Sequence, residues 1–66
     1  MRLYELWHSV PSGVTIYLED KDNHNLAIID EEAKFLPHEY DNGRVFYIAP
    51  HSSNAMTVKI IPPDDD

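Results

Sequence analysis

The sequence predicts an all-β fold: one small domain built as an antiparallel sheet or partly open barrel of four to six short strands. Three observations support this prediction. Apolar and polar residues alternate along several short segments. Turn-forming residues separate those segments at fairly even spacing. Of the 66 residues, 42% are hydrophobic and 11% aromatic, which is more than disordered chains carry.

The first two predicted strands lie near the N-terminus. Residues 3–8 are rich in aromatic and apolar side chains and are predicted to form a strand. Residues 9–13 contain one proline and one glycine and predict a turn. Residues 14–19 alternate cleanly, with their valine, isoleucine and leucine on one face. Because the gap is short, the two strands are expected to pair as an antiparallel hairpin.

The middle of the chain predicts a turn over residues 20–25 and a short buried strand over residues 26–29. Residues 30–36 are ambiguous. Asp30 could cap one short helical turn, or the segment could extend the third strand or form an edge strand. A turn or loop is favoured, since Pro37 limits any helix to about two turns.

The strongest local signal in the chain is Asn42-Gly43, a pair preferred in type I′ hairpin turns, where both central residues need positive φ. A strand is predicted over residues 44–49, a loop over 50–54 and an inward-alternating strand over 56–61. Two prolines then end the last strand, so residues 1–61 are predicted to form the domain and residues 62–66 an acidic tail.

Negative charge is concentrated in one third of the chain. The sequence has 12 acidic and 5 basic side chains, and its net charge is −7. Such an excess repels phosphates and attracts cationic surfaces. We therefore predict binding to a basic protein surface; the alternative is a solvated face that only keeps the protein soluble. The predicted partner-binding residues are Glu19, Asp20, Asp22, Asp30, Glu31, Glu32, Glu39 and Asp41.

Self-association is predicted from the first element. Chains of this length commonly need extra stabilisation, and this one has no cysteine for a disulfide. As a strand, residues 3–8 would be apolar on both faces, with Leu3 and Trp7 on one and Tyr4 and Leu6 on the other. One face is enough for a core of this size, so the other could seat a second copy. The sequence therefore predicts a homo-oligomer that uses Tyr4, Leu6 and Trp7.

One turn partly matches the ligand spacing of an EF-hand calcium loop. Asp20, Asp22, His24 and Glu31 fall at its positions 1, 3, 5 and 12. An imidazole at position 5 suits Ca²⁺ poorly, and Asn25 stands where the loop needs glycine. A hairpin turn explains the stretch better. The four histidines are predicted to be solvated surface residues, and no metal or cofactor is expected; they are His8, His24, His38 and His51.

No motif predicts catalysis. The chain has no cysteine nucleophile, and its serines lie in turns without the G-x-S-x-G elbow. With only two glycines it has no phosphate-binding loop. We therefore expect a protein that is not an enzyme.

Strand aromatics offer an alternative function, because sheets that bind single-stranded nucleic acid stack bases on such rings. That function also needs a cationic groove, whereas the basic residues here are few and dispersed. The aromatic residues in predicted strands are Tyr4, Trp7, Tyr17, Phe46 and Tyr47.

No apolar run approaches the roughly 20 residues that cross a bilayer, and the first residues lack the signal-peptide pattern, so a cytoplasmic protein is expected.

The profile of a tiny, acidic, cysteine-free, β-rich chain resembles small inhibitor proteins of phages and mobile elements, some of which mimic the charge of DNA. That resemblance implies an inhibitor, of the anti-CRISPR kind among others, that acts in the host cytoplasm. The predicted function is thus an acidic interaction module. The alternatives are an oligomeric nucleic-acid-binding module and a structural subunit.

Overall fold

A computed structural model describes residues 1–11, 13–33 and 35–65. It confirms the predicted fold class, since the chain is mostly strand with little helix. The predicted turns over 9–13 and 30–36 and the tail over 62–66 each include one residue outside the described ones: Ser12, Lys34 and Asp66. The elements are α1 (Leu3–Ser9), β1 (Thr15–Glu19), β2 (Asn25–Ile29), β3 (Arg44–Ser52), β4 (Ala55–Ile61) and a 3-10 helix, η1 (Pro63–Asp65).

The four strands form one sheet in the order β2-β1-β4-β3. β1 pairs with β2, and β3 with β4, as antiparallel hairpins. The hairpins meet along β1 and β4, which run parallel. The sheet is therefore mixed, whereas the sequence predicts antiparallel pairing throughout. Residues 30–43 connect β2 to β3 at opposite edges and must cross the sheet.

One face of the sheet carries the core. Helix α1 and the crossing segment, residues 30–43, both pack on this face. Leu6 and Trp7 of α1, Val10 just after it, and Leu36 and Tyr40 of the crossing segment pack against the core. The alternate residues of β1 and β4 point inward, as their sequence pattern predicts. No polar or charged residue is buried in the described ranges. The buried side chains are Leu3, Ile16, Leu18, Ile29, Val58 and Ile60.

The predicted first strand is wrong: residues 3–9 form α1, and the hairpin predicted between this segment and β1 does not exist. Leu3, Leu6, Trp7 and Val10 recur at the spacing of one helical face, and all four contact the core. At the start of the helix, the Arg2 N–H donates to the Glu5 carboxylate over 2.8 Å. At 7 residues α1 is too short to cross a membrane, and the described residues contain no other helix able to do so.

The predicted type I′ turn at Asn42-Gly43 is also wrong. Positive φ occurs at Gly13 and Asn23 among the described residues, and at neither member of this pair. A Cβ on Gly43 would lie 2.7 Å from Ile60 Cδ1, so glycine is needed for close packing. The segment serves to dock α1: the Leu3 N–H donates to the Gly43 carbonyl over 2.8 Å, and the Tyr4 N–H to the Asp41 carbonyl over 2.9 Å.

Two loop predictions have different outcomes. The loop predicted over residues 50–54 is mostly strand, because β3 continues to Ser52 and only Ser53 and Asn54 form the turn. Pro50 is tolerated there since β3 lies at the sheet edge, where a missing N–H breaks no ladder bond. After β2, residues 30–33 form the favoured turn, closed by the Ala33 N–H donating to the Asp30 carbonyl over 2.9 Å.

Candidate functional site

The hairpin between β1 and β2 ends in a three-residue loop, Lys21 to Asn23. The Asn23 N–H donates to the Asp20 carbonyl over 3.2 Å, and the Asp20 N–H donates to the His24 carbonyl over 3.1 Å. Asn23 has φ 66°, a left-handed conformation that asparagine tolerates better than most residues. This is a tight turn followed by one left-handed residue, a common three-residue hairpin connection.

The Asp20 carboxylate organises this loop. Its Oδ1 accepts the backbone N–H of Asp22 over 2.8 Å and that of His24 over 3.0 Å. Its Oδ2 lies 3.3 Å from His24 Nδ1. The backbone hydrogen bond from His24 is the main cause that holds the pKa of Asp20 below its usual value, although partial burial opposes it. The Asp20 carboxylate therefore stabilises the turn in addition to contributing negative charge.

Acid should weaken this hairpin through Asp20. Because its pKa is lowered by folding, Asp20 stabilises the fold above its unfolded value of about 3.8 and loses this effect as the pH falls through the lower folded value. We expect Asp20→Ala to lower the melting temperature at pH 7 more than Asp22→Ala, whose carboxylate is at the exposed tip of the loop. The difference between the two variants should shrink as the pH falls below about 3.8. A constant difference across thermal melts from pH 7 to 2 would contradict this role.

Three of the four residues at EF-hand ligand positions lie close together in the structure. One ligand atom each from Asp20, Asp22 and His24 lies within 4.8 Å of the others. Glu31, the predicted fourth member, follows the far end of β2, and strands rather than helices flank the loop. The hairpin-turn interpretation is therefore confirmed, and the hydrogen bonds of the turn account for the position of Asp20.

The eight predicted partner-binding carboxylates fall into three places. Residues 19–22 precede β2 and residues 30–32 follow it, so the two groups lie at opposite ends of a 5-residue strand, roughly 13–17 Å apart. The remaining two, Glu39 and Asp41, belong to the crossing segment. The turn carboxylates thus do not form one patch.

A different carboxylate joins the first group. Because β1 and β4 run parallel, their C-terminal ends lie at the same end of the sheet, and η1 follows β4 there. Asp65 of η1 lines a pocket of about 160 Å³ with Asp20, Lys21 and Asp22. The apolar part of its lining comes from Ile60, Ile61 and Pro62. We call this region the acidic pocket; the sequence carries no signal for it, since Asp65 appears there only as part of a tail.

Two of the three predicted self-association residues, Tyr4 and Trp7, line a second cleft. Leu6 and Trp7 are half-buried against the core, so the argument that a strand exposes them to a second copy fails. Tyr4 is 45% exposed. Self-association stays a prediction without that support. A cleft of about 320 Å³ is lined by Tyr4, Trp7, His8, Phe35, Leu36 and Asp41.

The sheet face opposite the core carries polar and aromatic side chains. Tyr17 stacks at a tilt on His51, with ring centroids 4.6 Å apart, and Lys59 Nζ lies 5.1 Å from the centre of the Tyr47 ring. Lys59 also donates to the Asn23 side chain. These tyrosines are therefore outside the core, on the face that a stacking ligand would need.

Comparison of the chain with protein-family models, with curated proteins and with solved structures finds no match in any of the three.

Proposed function

We propose that the protein is a non-enzymatic interaction module that binds a basic protein surface in the cytoplasm. The observation that carries this proposal is the acidic pocket, whose lining combines apolar residues with three carboxylates, Asp20, Asp22 and Asp65, against one cation, Lys21. A lysine or arginine side chain has a matching construction, with an apolar stem and a charged head. Because Asp22 and Asp65 are exposed, they can pair with such a head without the large cost of burying a charge.

The charge of the whole chain supports the same function. A net charge of −7 on 66 residues attracts a cationic partner over distances longer than a contact and speeds the encounter. The basic residues that a protein uses to hold phosphates would be attracted in the same way. An inhibitor that occludes a nucleic-acid-binding site is the specific form of the module that we propose.

The sheet face with Tyr17 and Tyr47 favours a second candidate, a module that binds single-stranded nucleic acid. Tyr47 is 48% exposed, with Lys59 near its ring, and Tyr17 lies beside His51. The net charge of −7 opposes it. Saturable binding of an oligothymidylate at low salt would favour this candidate, and absence of binding would favour the first.

A pair of matched charge reversals tests the proposal. Asp22→Lys with Asp65→Lys changes the acidic pocket, while Glu31→Lys with Glu32→Lys makes the same charge change at the other end of β2. Asp20 is left intact because the hairpin depends on it. With a lysine-rich decapeptide as probe, calorimetry at low salt should show the first variant binding at least about threefold more weakly than the second.

The salt dependence provides an independent check, because screening acts on pairs that are actually formed. The pocket variant should have a shallower dependence of affinity on salt than the control variant. If both variants lose affinity equally, only the net charge matters and the solvated-face alternative is correct. If neither loses affinity, the acidic pocket is not the binding site.

A further inference from the structure

We infer that the cleft between α1 and residues 35–41, here called the aromatic cleft, binds one arginine or lysine side chain of a protein partner. This inference rests on the proposed function and names a second contact within it. The cleft brings together Tyr4 and Trp7, predicted for self-association, with Asp41, predicted for partner binding. The sequence predicts no connection between these two groups.

The cleft is built from two elements that the fold fixes. Tyr4, Trp7 and His8 are three and four residues apart and so lie on one face of α1. The crossing segment contributes Phe35 to the lining, and this side chain is 84% exposed, more than any other large hydrophobic side chain among the described residues. A phenylalanine left this far in water contributes almost nothing to the fold. It lines the same cleft as the rings of Tyr4 and Trp7 and is open to a ligand there.

The charge of the cleft selects a cation. Aromatic faces attract cations through their quadrupole, and clusters of aromatic rings bind ammonium and guanidinium groups in this way. Asp41 adds a carboxylate to the wall, with Glu39 two residues before it. Among the residues that the structure describes, the lining includes no lysine or arginine, and its basic member is His8. An acidic ligand would meet repulsion here, and a neutral apolar one would leave the carboxylate unused.

Asp41 is held in position by the fold. Its backbone carbonyl accepts the Tyr4 N–H over 2.9 Å, which ties the Asp41 backbone to the helix that carries two of the rings. Its Oδ2 lies 3.5 Å from Nδ1 of His38, whose side chain is fully exposed. The backbone of Asp41 is therefore fixed relative to α1 before a ligand arrives, which lowers part of the ordering cost of binding.

Trp7 makes the inference directly testable, because it is the single tryptophan of the chain and lines the cleft. We would titrate the full chain with acetyl-hexaarginine amide and follow tryptophan emission. The matching hexacitrulline peptide has nearly the same shape without the charge and serves as the control ligand. A saturable emission change with the arginine peptide, and little change with the citrulline peptide, is expected.

Three variants locate the contact. Phe35→Ala and Asp41→Asn should each weaken the binding seen by Trp7 about two- to fivefold. Phe46→Ala removes a half-exposed aromatic ring outside the cleft and should leave that affinity unchanged. Since Phe35 is mostly in solvent, its variant should keep the far-ultraviolet circular dichroism of the parent chain.

The outcomes separate this inference from the proposed function. If calorimetry shows the arginine peptide binding while Trp7 emission and the Phe35→Ala variant show no effect, the cleft is not a cation site and the proposed function stands. If the peptide does not bind by either method, both fail. If Trp7 emission changes with protein concentration instead of peptide, a second copy covers the cleft and the inference is overturned.

Discussion

Replacing Leu3 with alanine should lower the free energy of unfolding by about 2–5 kcal/mol. Leu3 is 0% exposed and is the one fully buried residue of α1. Alanine would leave a cavity between the helix and the sheet, because the strands beneath are held by their ladders and cannot move in to fill it. Cores of this size supply roughly 3–5 kcal/mol, so the variant should lose a large part of the stability of the domain.

The neighbouring residue provides the control. Tyr4 is 45% exposed on the outer side of the same helix, so Tyr4→Ala should cost less than about 1 kcal/mol. Urea unfolding followed by circular dichroism compares the two variants under identical conditions. A similar loss for both would mean that α1 is not anchored through Leu3.

The strands were predictable where their residues alternate. β1 and β4 each combine β-branched residues with a strict period of two, and the buried members are the ones that this period selects. The sequence of α1 predicts a strand instead of a helix for a physical reason. Within 7 residues a helical repeat appears only twice, while Tyr4 and Trp7 are residue types enriched in strands. Packing of Leu3, Leu6 and Trp7 on the sheet decides the outcome.

The candidate sites were less predictable than the strands, because they depend on contacts between distant parts of the chain. The parallel pairing of β1 with β4 leaves no local pattern in either strand, yet it places Asp65 beside Asp20 and Asp22. The aromatic cleft likewise depends on the crossing segment that brings Phe35 to α1. The sequence identified the carboxylates and aromatic residues individually, and the topology decided which of them meet.

Asn42-Gly43 shows how a strong local preference is overridden. The pair favours a hairpin turn when both flanking segments are neighbouring strands. Here the chain before Asn42 belongs to the crossing segment, and the carbonyls of Asp41 and Gly43 are used to hold α1. The glycine is required all the same, but by its neighbours and not by its own φ.

Replacing Gly43 with valine should therefore cost about 2–3 kcal/mol through overpacking. A Cβ at this position lies 2.7 Å from Ile60 Cδ1, and 3.1 and 3.3 Å from the carbonyl oxygens of Tyr40 and Ile61. The oxygens belong to the backbone, and Ile60 is fully buried, so neither neighbour can move away freely. Denaturant titration of the variant and the parent chain gives the cost.

A rescue experiment identifies the cause of that cost. Gly43→Ala adds the Cβ alone, and Ile60→Val removes the Cδ1 that the Cβ would meet. If overpacking is the cause, the double variant should be more stable than the sum of the two single changes predicts, with a coupling of roughly 0.5–3 kcal/mol. Gly13→Ala is the matched control, because Gly13 has φ 90° and no atom within 4 Å of its added Cβ. Its cost should come from backbone strain and should not change when Ile60 is shortened. Additive costs at Gly43 would mean that its conformation, and not the contact with Ile60, explains the glycine.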